Sequence, residues 1–398
     1  MHKRVMFTSE SVTEGHPDKM CDQIADAVVD QFLVQDPFSR IRVECAVSSA
    51  ILFIAANFSS KAVVDLAGVA RKVIKRIGYN QADFNPTSCS ILTAPQAQSL
   101  KKRMTFDTGS ISDRGIDKVT GKNQVTLFGY ACNQSPVLMP LPIYLAQKLA
   151  MQLTLTRKQM HLPYLSPDGK VQVGVTYKDN QPKGIHSVTI TANQLTKKKP
   201  SLKKLRADVL EAVIKPVFAE APLKLTTKTK IHINPDGAHK GGPTKHGGLS
   251  GRKNAIDTYG EYARHSGKAL SGKDPLRIDR IGAYAARYAA KNVVAAGLAD
   301  ICEIMLSYSI GQTRPVSLQV QTFGTGKVPD EHIAQLLPRH FDFRLAGILK
   351  QFDLRRLPAE SPKGFFEQLA SYGHFGRTDM DLPWEETDKA EELAGDVT

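Results

Sequence analysis

Residues 171–177 alternate strictly, with Val171, Val173, Val175 and Tyr177 on one side. The alternation resumes at Val188 and Ile190, after Asp179-Asn180-Gln181-Pro182-Lys183-Gly184. A period of two interrupted by turn formers predicts a β-hairpin. The pattern recurs twice: 41–58 reads as a strand pair turning near Ser48-Ser49, and 302–309 faces 316–323 across Gly311-Gln312-Thr313-Arg314-Pro315. Hairpins build antiparallel sheets, whereas parallel sheets need strand–helix–strand crossovers. Helical stretches lie between them. Residues 19–35 carry Met20, Ile24, Val28 and Phe32 on one stripe beside Ala25 and Val29; others run over about 202–219 and an Ala-rich 280–298. The chain is therefore expected to be α+β, with helices on mainly antiparallel sheets, and not a doubly wound dinucleotide fold.

At 398 residues the chain has room for two or three domains. No apolar run approaches the roughly 18 residues a membrane span needs, and Met1-His2-Lys3-Arg4 leads into no signal core. Cys21, Cys45, Cys89, Cys132 and Cys302 are scattered and form no CxxC pair, which argues for a reducing, cytoplasmic setting and against a cysteine zinc site. The formal charge of +14 is the unusual quantity. Residues 195–230 hold ten basic residues (Lys197, Lys198, Lys199, Lys203, Lys204, Arg206, Lys215, Lys224, Lys228, Lys230) against Asp208, Glu211 and Glu220, half of the excess. A nucleic-acid patch is one reading. No aromatic residues interleave as single-strand binders require, so a solvated helix face is preferred.

Three segments could carry chemistry. Gly267-Lys268-Ala269-Leu270-Ser271-Gly272-Lys273-Asp274 nearly matches GxxxxGK[ST], but Asp274 replaces the magnesium-binding hydroxyl and no buried strand precedes it. It is not a Walker motif, although a glycine loop presenting a lysine to phosphate stays open. Glycines and cations are dense at Gly241-Gly242-Pro243, Gly247-Gly248, Gly251-Arg252-Lys253 and 271–280. Glycines let backbone approach a ligand, Arg and Lys neutralise oxyanions, and an interleaved Asp can hold magnesium. Finally, Glu14-Gly15-His16-Pro17-Asp18-Lys19 precedes the first helix. His16 there could donate to a developing oxyanion and Asp18 could ligate a metal, yet spacing alone favours Asp18 as a plain N-cap.

The run Thr8-Ser9-Glu10-Ser11-Val12-Thr13-Glu14-Gly15-His16-Pro17-Asp18-Lys19 resembles the N-terminal signature of S-adenosylmethionine synthetases (methionine adenosyltransferases). The resemblance continues through Gly251-Arg252-Lys253, Asp257-Thr258-Tyr259-Gly260, Ser271-Gly272-Lys273-Asp274-Pro275, Ala283-Tyr284-Ala285-Ala286-Arg287-Tyr288, Lys291-Asn292, Gly297-Leu298-Ala299, Phe323-Gly324-Thr325 and Tyr372-Gly373-His374-Phe375-Gly376-Arg377. It implies three similar α+β domains in pseudo-threefold arrangement, placed at 1–103, 104–231 and 232–398 with segments exchanged between them. It implies a homodimer, or a tetramer of dimers, with active sites shared between subunits. The implied reaction is attack of a thioether sulfur on C5′ of ATP, then hydrolysis of the displaced triphosphate to phosphate and diphosphate, with Mg2+ and K+. By position, His16 matches the histidine near the bridging oxygen at C5′, and Lys170, Arg252, Lys253 and Lys273 match triphosphate cations. Asp168 matches a nucleotide-pocket aspartate, Asp18 and Asp279 match magnesium ligands, and Glu44 matches a potassium-site glutamate.

The amino-acid side departs from the resemblance. The family's Gly-Gly-Glu reads Ala55-Ala56-Asn57, its loop aspartate is Asn123, the acid expected after Gly241-Gly242-Pro243 is His246, and a late lysine is Arg277; Gln98 is kept. Residues 99–122, including Lys101-Lys102-Arg103, replace the family's mobile entrance loop, with altered gating or a larger, more anionic substrate as the two implications. Three negative charges are thus missing around an ammonium that, buried without partners, would cost about 3–5 kcal/mol. The thioether pocket is expected at Asn57, Gln98, Asn123, His246 and Arg277. Its substrate is methionine or, with another acid absent, a deaminated analogue such as 4-methylthio-2-oxobutanoate. A non-catalytic nucleotide-binding paralogue and a polyanion binder using 195–230 are the competing classes.

Overall fold

The computed structural model describes residues 4–195 and 200–397; Lys197, Lys198 and Lys199 of the basic stretch lie outside the described residues. The strands are β1 (Arg4–Val12), β2 (Arg40–Ser48), β3 (Ile51–Ser59), β4 (Ser90–Ala97), β5 (Val125–Cys132), β6 (Leu165–Lys178), β7 (Gln181–Gln194), β8 (Lys230–Ile233), β9 (Gly248–Leu249), β10 (Ile301–Tyr308) and β11 (Ser317–Gln321). The long helices are α1 (Pro17–Gln35), α2 (Leu66–Ile77), α3 (Leu141–Lys158) and α4 (Ile278–Ala295). The strands form three sheets, ordered β1-β6-β7-β8, β11-β10-β5 and β4-β3-β2-β9. All pairs are antiparallel except β3/β4 and β7/β8. The α+β expectation therefore holds, and so do the three hairpins.

Turn chemistry sets the hairpins. Asp179 and Asn180 both take left-handed backbone (φ +53 and +60), the conformation a tight two-residue turn between twisted strands requires. Less local is the weaving. β1 adds to the sheet built from 165–233, β5 pairs with β10, and β9 closes the free edge of β2. Each sheet is completed by a strand from a distant part of the chain, so no sheet can form from one contiguous segment.

The predicted 202–219 helix is Leu202–Val209 running through a π turn at Leu210–Ile214 into Lys215–Glu220. Its outer charges pair locally, Lys204 with Asp208 (3.0 Å) and Lys215 with Glu211 (2.5 Å). Arg206 instead donates to the carbonyls of Ile233 and Asn234 (2.8 Å each) and stitches the helix to β8. These contacts are those of a solvated helix face.

α1 is buried on almost every side, and four of its buried residues are acids spaced one turn apart: Asp18, Asp22, Asp26 and Asp30. A carboxylate out of water needs hydrogen bonds, and each finds backbone donors far along the chain, Asp18 and Asp22 on one shared segment. Asp18 accepts from Leu249 N–H (3.0 Å), Asp22 from Gly251 (2.7 Å), Asp26 from Gly272 (2.8 Å), and Asp30 from Phe366 (3.1 Å) and Glu367 (2.9 Å). Arg280 completes the Asp26 pair at 2.5 and 2.7 Å, both side chains fully buried. One helix thus fixes three loops.

The helix start corrects an expectation. His16, not Asp18, is the N-cap: its Nδ1 accepts from Asp18 N–H (3.2 Å). Pro17 supplies the first helical position, where its fixed φ and missing N–H cost nothing. Asp18 is released from capping and turns to the 249 loop.

Candidate active site

Burial and close backbone approach bring His16, Asp168 and His246 together. Gly15 lies against β6 so tightly that a Cβ would fall 2.4 Å from the backbone of Pro167, and one on Gly248 would fall 2.2 Å from that of Pro17. Thr13 ties the same segment to β6, its hydroxyl donating to Pro167 O at 2.6 Å. His16 is 3% exposed and Asp168 1%. Asp168 Oδ2 accepts from Gly242 N–H (2.8 Å) and faces His246 Nε2 (2.9 Å), whose ring centroid is 4.9 Å from that of His16. Burial drives the His16 pKa down to about 4 against the pull of Asp168 and Asp18, so the ring is neutral. Burial opposes charge on Asp168 too, but the His246 hydrogen bond, nearby His16 and Gly242 N–H hold its carboxyl below the usual range.

One cation stands beside these rings, and two more lie on nearby segments of the chain. Lys253 Nζ stands 3.8 Å from Asp18 Oδ2 and 3.7 Å from Glu10. Lys170, opposite Val12 in the β1/β6 register, and Arg252 are exposed, and among the described residues neither has an ion-pair partner. Among the described residues no hydrogen bond to Asp18 Oδ2 is seen; His16 Nδ1 stands 3.7 Å from it and Lys253 Nζ 3.8 Å. The group can stabilise a polyanion and leaves one hard carboxylate oxygen free for a cation.

The remaining predicted residues gather elsewhere. The Gly272–Asp274 loop lies along the same edge of β2: Val43 N–H donates to Gly272 O (2.8 Å), Asp274 N–H to Ile41 O (3.1 Å), and Lys273 bridges to Arg42. Lys273 Nζ is 3.7 Å from Asp279 Oδ1, which also accepts from Asn123 Nδ2 (2.7 Å). Burial lowers the Lys273 pKa to about 8 despite Asp279. Asn57, Gln98 and Arg277 line one cavity of ≈ 250 Å³ with Arg40, Phe58 and Ser59. Glu44 projects from β2, largely exposed, with Arg42 at 3.1 Å.

These are two half-sites, not one. Lys273 meets β2 at Arg42 and Gly248 meets it at Val47; five strand residues span about 17 Å. Of the five residues expected around the thioether, the structure unites Asn57, Gln98 and Arg277, puts Asn123 on Asp279, and seats His246 with His16 and Asp168.

Three family models match in chain order: the S-adenosylmethionine synthetase N-terminal domain over residues 4–100, the central domain over 118–239 and the C-terminal domain over 240–386. The chain is 48% identical over 404 residues to the S-adenosylmethionine synthase of Thermosynechococcus vestitus, covering 98% of this chain and 97% of that protein. It is 47% identical to the enzyme of that name in Nostoc punctiforme, covering 99% and 96%. The chain belongs to the S-adenosylmethionine synthetase family.

In this S-adenosylmethionine synthetase the segment expected to replace the family's entrance loop is tied down by three arginines. Arg103 ion-pairs with Asp36 (2.5 Å), Arg344 reaches Asp113 (2.6 Å) and Asp117 (3.1 Å), and Arg355 donates to Met104 O and Phe106 O (2.9 and 2.8 Å). Several motifs that marked the synthetase family are core, not site. Arg287 is buried, bonded to the carbonyls of Tyr130, Val137 and Leu138 and to Glu385; Tyr284 stacks on Trp384 and bonds His374 (2.8 Å). Sequence reasoning missed the buried Lys19, held between Asp22 and Asp257. Burial and the like charge of Asp22 lift Asp257 to about 7. The four-residue spacing of acids on an apolar helix was the available signal. All five cysteines are buried and unpaired. Among the described residues no helix is long and apolar enough to cross a membrane.

Proposed function

We propose that this chain is an S-adenosylmethionine synthase: methionine sulfur attacks C5′ of ATP and the C5′–O bond breaks. The bonding electrons pass to the triphosphate, which is then hydrolysed to phosphate and diphosphate. The supporting observation is the buried, neutral His16, with Lys253 beside its neighbour Asp18. With Nδ1 already accepting from Asp18 N–H, the neutral ring carries its proton on Nε2 and can donate to the departing oxygen. Lys170, Arg252, Lys253 and Lys273 neutralise the triphosphate, and Asp168 binds the nucleoside. Asp18 and Asp279 are carboxylates suited to hold Mg2+, whose charge would stabilise the leaving triphosphate. Glu44, largely exposed and paired with Arg42 at 3.1 Å, is the candidate for K+.

The two half-sites are each incomplete, and we place their completion across a homodimer, His16 of one subunit facing Lys273 of the other. Mixing His16→Asn and Lys273→Met subunits is then expected to restore about a quarter of wild-type activity, since half the dimers are mixed and each has one intact site. Activity that stays at the level of either variant rules this arrangement out. Loss of the Lys273 charge above its lowered pKa predicts that kcat/KM falls above about pH 8. Lys273→Arg should move that limb upward; a limb that does not move assigns it elsewhere.

One observation favours a second sulfur substrate: among the described residues, Arg40 and Arg277 but no carboxylate line the Asn57–Gln98–Arg277 cavity, with Asp274 behind Arg277 at 3.6 Å. Mass spectrometry of products from ATP with methionine or 4-methylthio-2-oxobutanoate decides. We expect S-adenosylmethionine. A strong preference for the oxo acid supports the deaminated substrate, and no product with either, nor any phosphate or diphosphate release, defeats catalysis. The unpaired cysteines accord with a reducing, cytoplasmic setting.

A further inference from the structure

We infer that His16, Asp168 and His246 form a binding site for a nitrogen-preferring transition metal such as zinc. One ligand atom from each lies within 4.8 Å of the other two, the only such group of His, Cys, Asp or Glu among the described residues. Tetrahedral ligands with metal bonds of about 2.0–2.1 Å stand roughly 3.3 Å apart, so small side-chain rotations suffice. A second observation points the same way: Asp168 Oδ1 is buried and has no hydrogen-bond partner, although its other oxygen is fixed by Gly242 N–H. A buried carboxylate oxygen is rarely left unsatisfied, and a cation is one remedy.

Residue 246 decides which cation. An acid there, as the family resemblance predicts, would give one imidazole and two carboxylates, a set in which magnesium can compete. His246 gives two imidazoles and one carboxylate, which favours zinc, nickel or cobalt. Binding displaces protons. The one His246 Nε2 shares with Asp168 moves to Nδ1 of the same ring, and His16 coordinates through Nε2 only by moving its proton to Nδ1 and giving up the 3.2 Å bond from Asp18 N–H. Metal binding therefore withdraws the donor assigned above to the leaving oxygen. Zinc is expected to inhibit adenosyl transfer reversibly, and that consequence alone rests on the proposed function.

The test is titration of the full chain with Co2+, read by visible ligand-field absorption. One equivalent should bind, with affinity reduced at least tenfold in His246→Asn. Affinity should be unchanged in His239→Ala and His340→Ala, which remove the exposed histidine–acid pairs at Asp236 and at Glu392/Asp396. Absence of binding by the wild type, equal affinity in His246→Asn, or loss on removing His239 or His340 would each overturn the site. Should His246→Asn misfold, His246→Gln serves as the second variant, with the same loss of affinity expected. Zinc should also raise the wild-type melting temperature, and no shift counts against the proposal. Failure of catalysis leaves the metal titration interpretable, so the two readings fail separately.

Discussion

Replacing His16 by Asn lowers kcat by a factor of about 10²–10³ while the protein keeps its melting temperature. The two halves of that result have separate causes. His16 caps α1 through Nδ1, and Asn is among the best residues at that position, so the helix start survives. Asn does not place a donor where the imidazole Nε2–H projects, so stabilisation of the departing triphosphate is lost. His16→Ala removes both roles and should cost a further ~0.5–2 kcal/mol of stability. Steady-state kinetics and thermal unfolding on the two variants separate them. An Asn variant with near-wild-type kcat would leave His16 a cap and nothing more.

The largest loss of stability is expected from Arg280→Met. It strands Asp26 without its charge partner in a fully buried setting, at a cost of about 3–5 kcal/mol. Burial already pushes the Asp26 carboxyl upward, with Arg280 as the main opposing influence. Arg280 also donates to Leu270 O (2.6 Å) and packs over Phe366, with its guanidinium carbon 4.3 Å from the ring centre. Arg280→Met with Asp26→Leu should recover most of the stability, because an apolar pair can replace a buried ion pair. Activity should not return with it, since Gly272 N–H then has no acceptor and the loop bearing Lys273 is unmoored. Urea denaturation and kinetics on the double variant test both statements; recovery of full activity would show that the loop does not depend on Asp26.

Hairpins were legible because their signal is local: alternating Val171 to Tyr177, then Asp179-Asn180. The addition of β1 to β6, or of β9 to β2, was not, since nothing within Gly248-Leu249 announces which edge it will join. Site residues were legible through the resemblance, but their distribution was not. Asn57 and His246 belong to one expected pocket, yet they lie in different half-sites, because register along β2 decides which residues meet. The capping expectation at Asp18 failed for a related reason. A propensity rule assigns the acid to the helix start, whereas the 249 loop, far along the chain, offered it a donor that only the folded arrangement brings near.

The acid-bearing face of α1 also limits which changes in length the chain can accept. Deleting one residue between Asp18 and Asp26 would turn every later carboxylate by about 100° and withdraw it by about 1.5 Å. The loops at Gly272 and Phe366 would lose their acceptors together, whatever the composition of the helix. Point substitutions on this helix can be judged one at a time, but its residue count between 18 and 30 is a single quantity, set simultaneously by three loops that are separate in sequence.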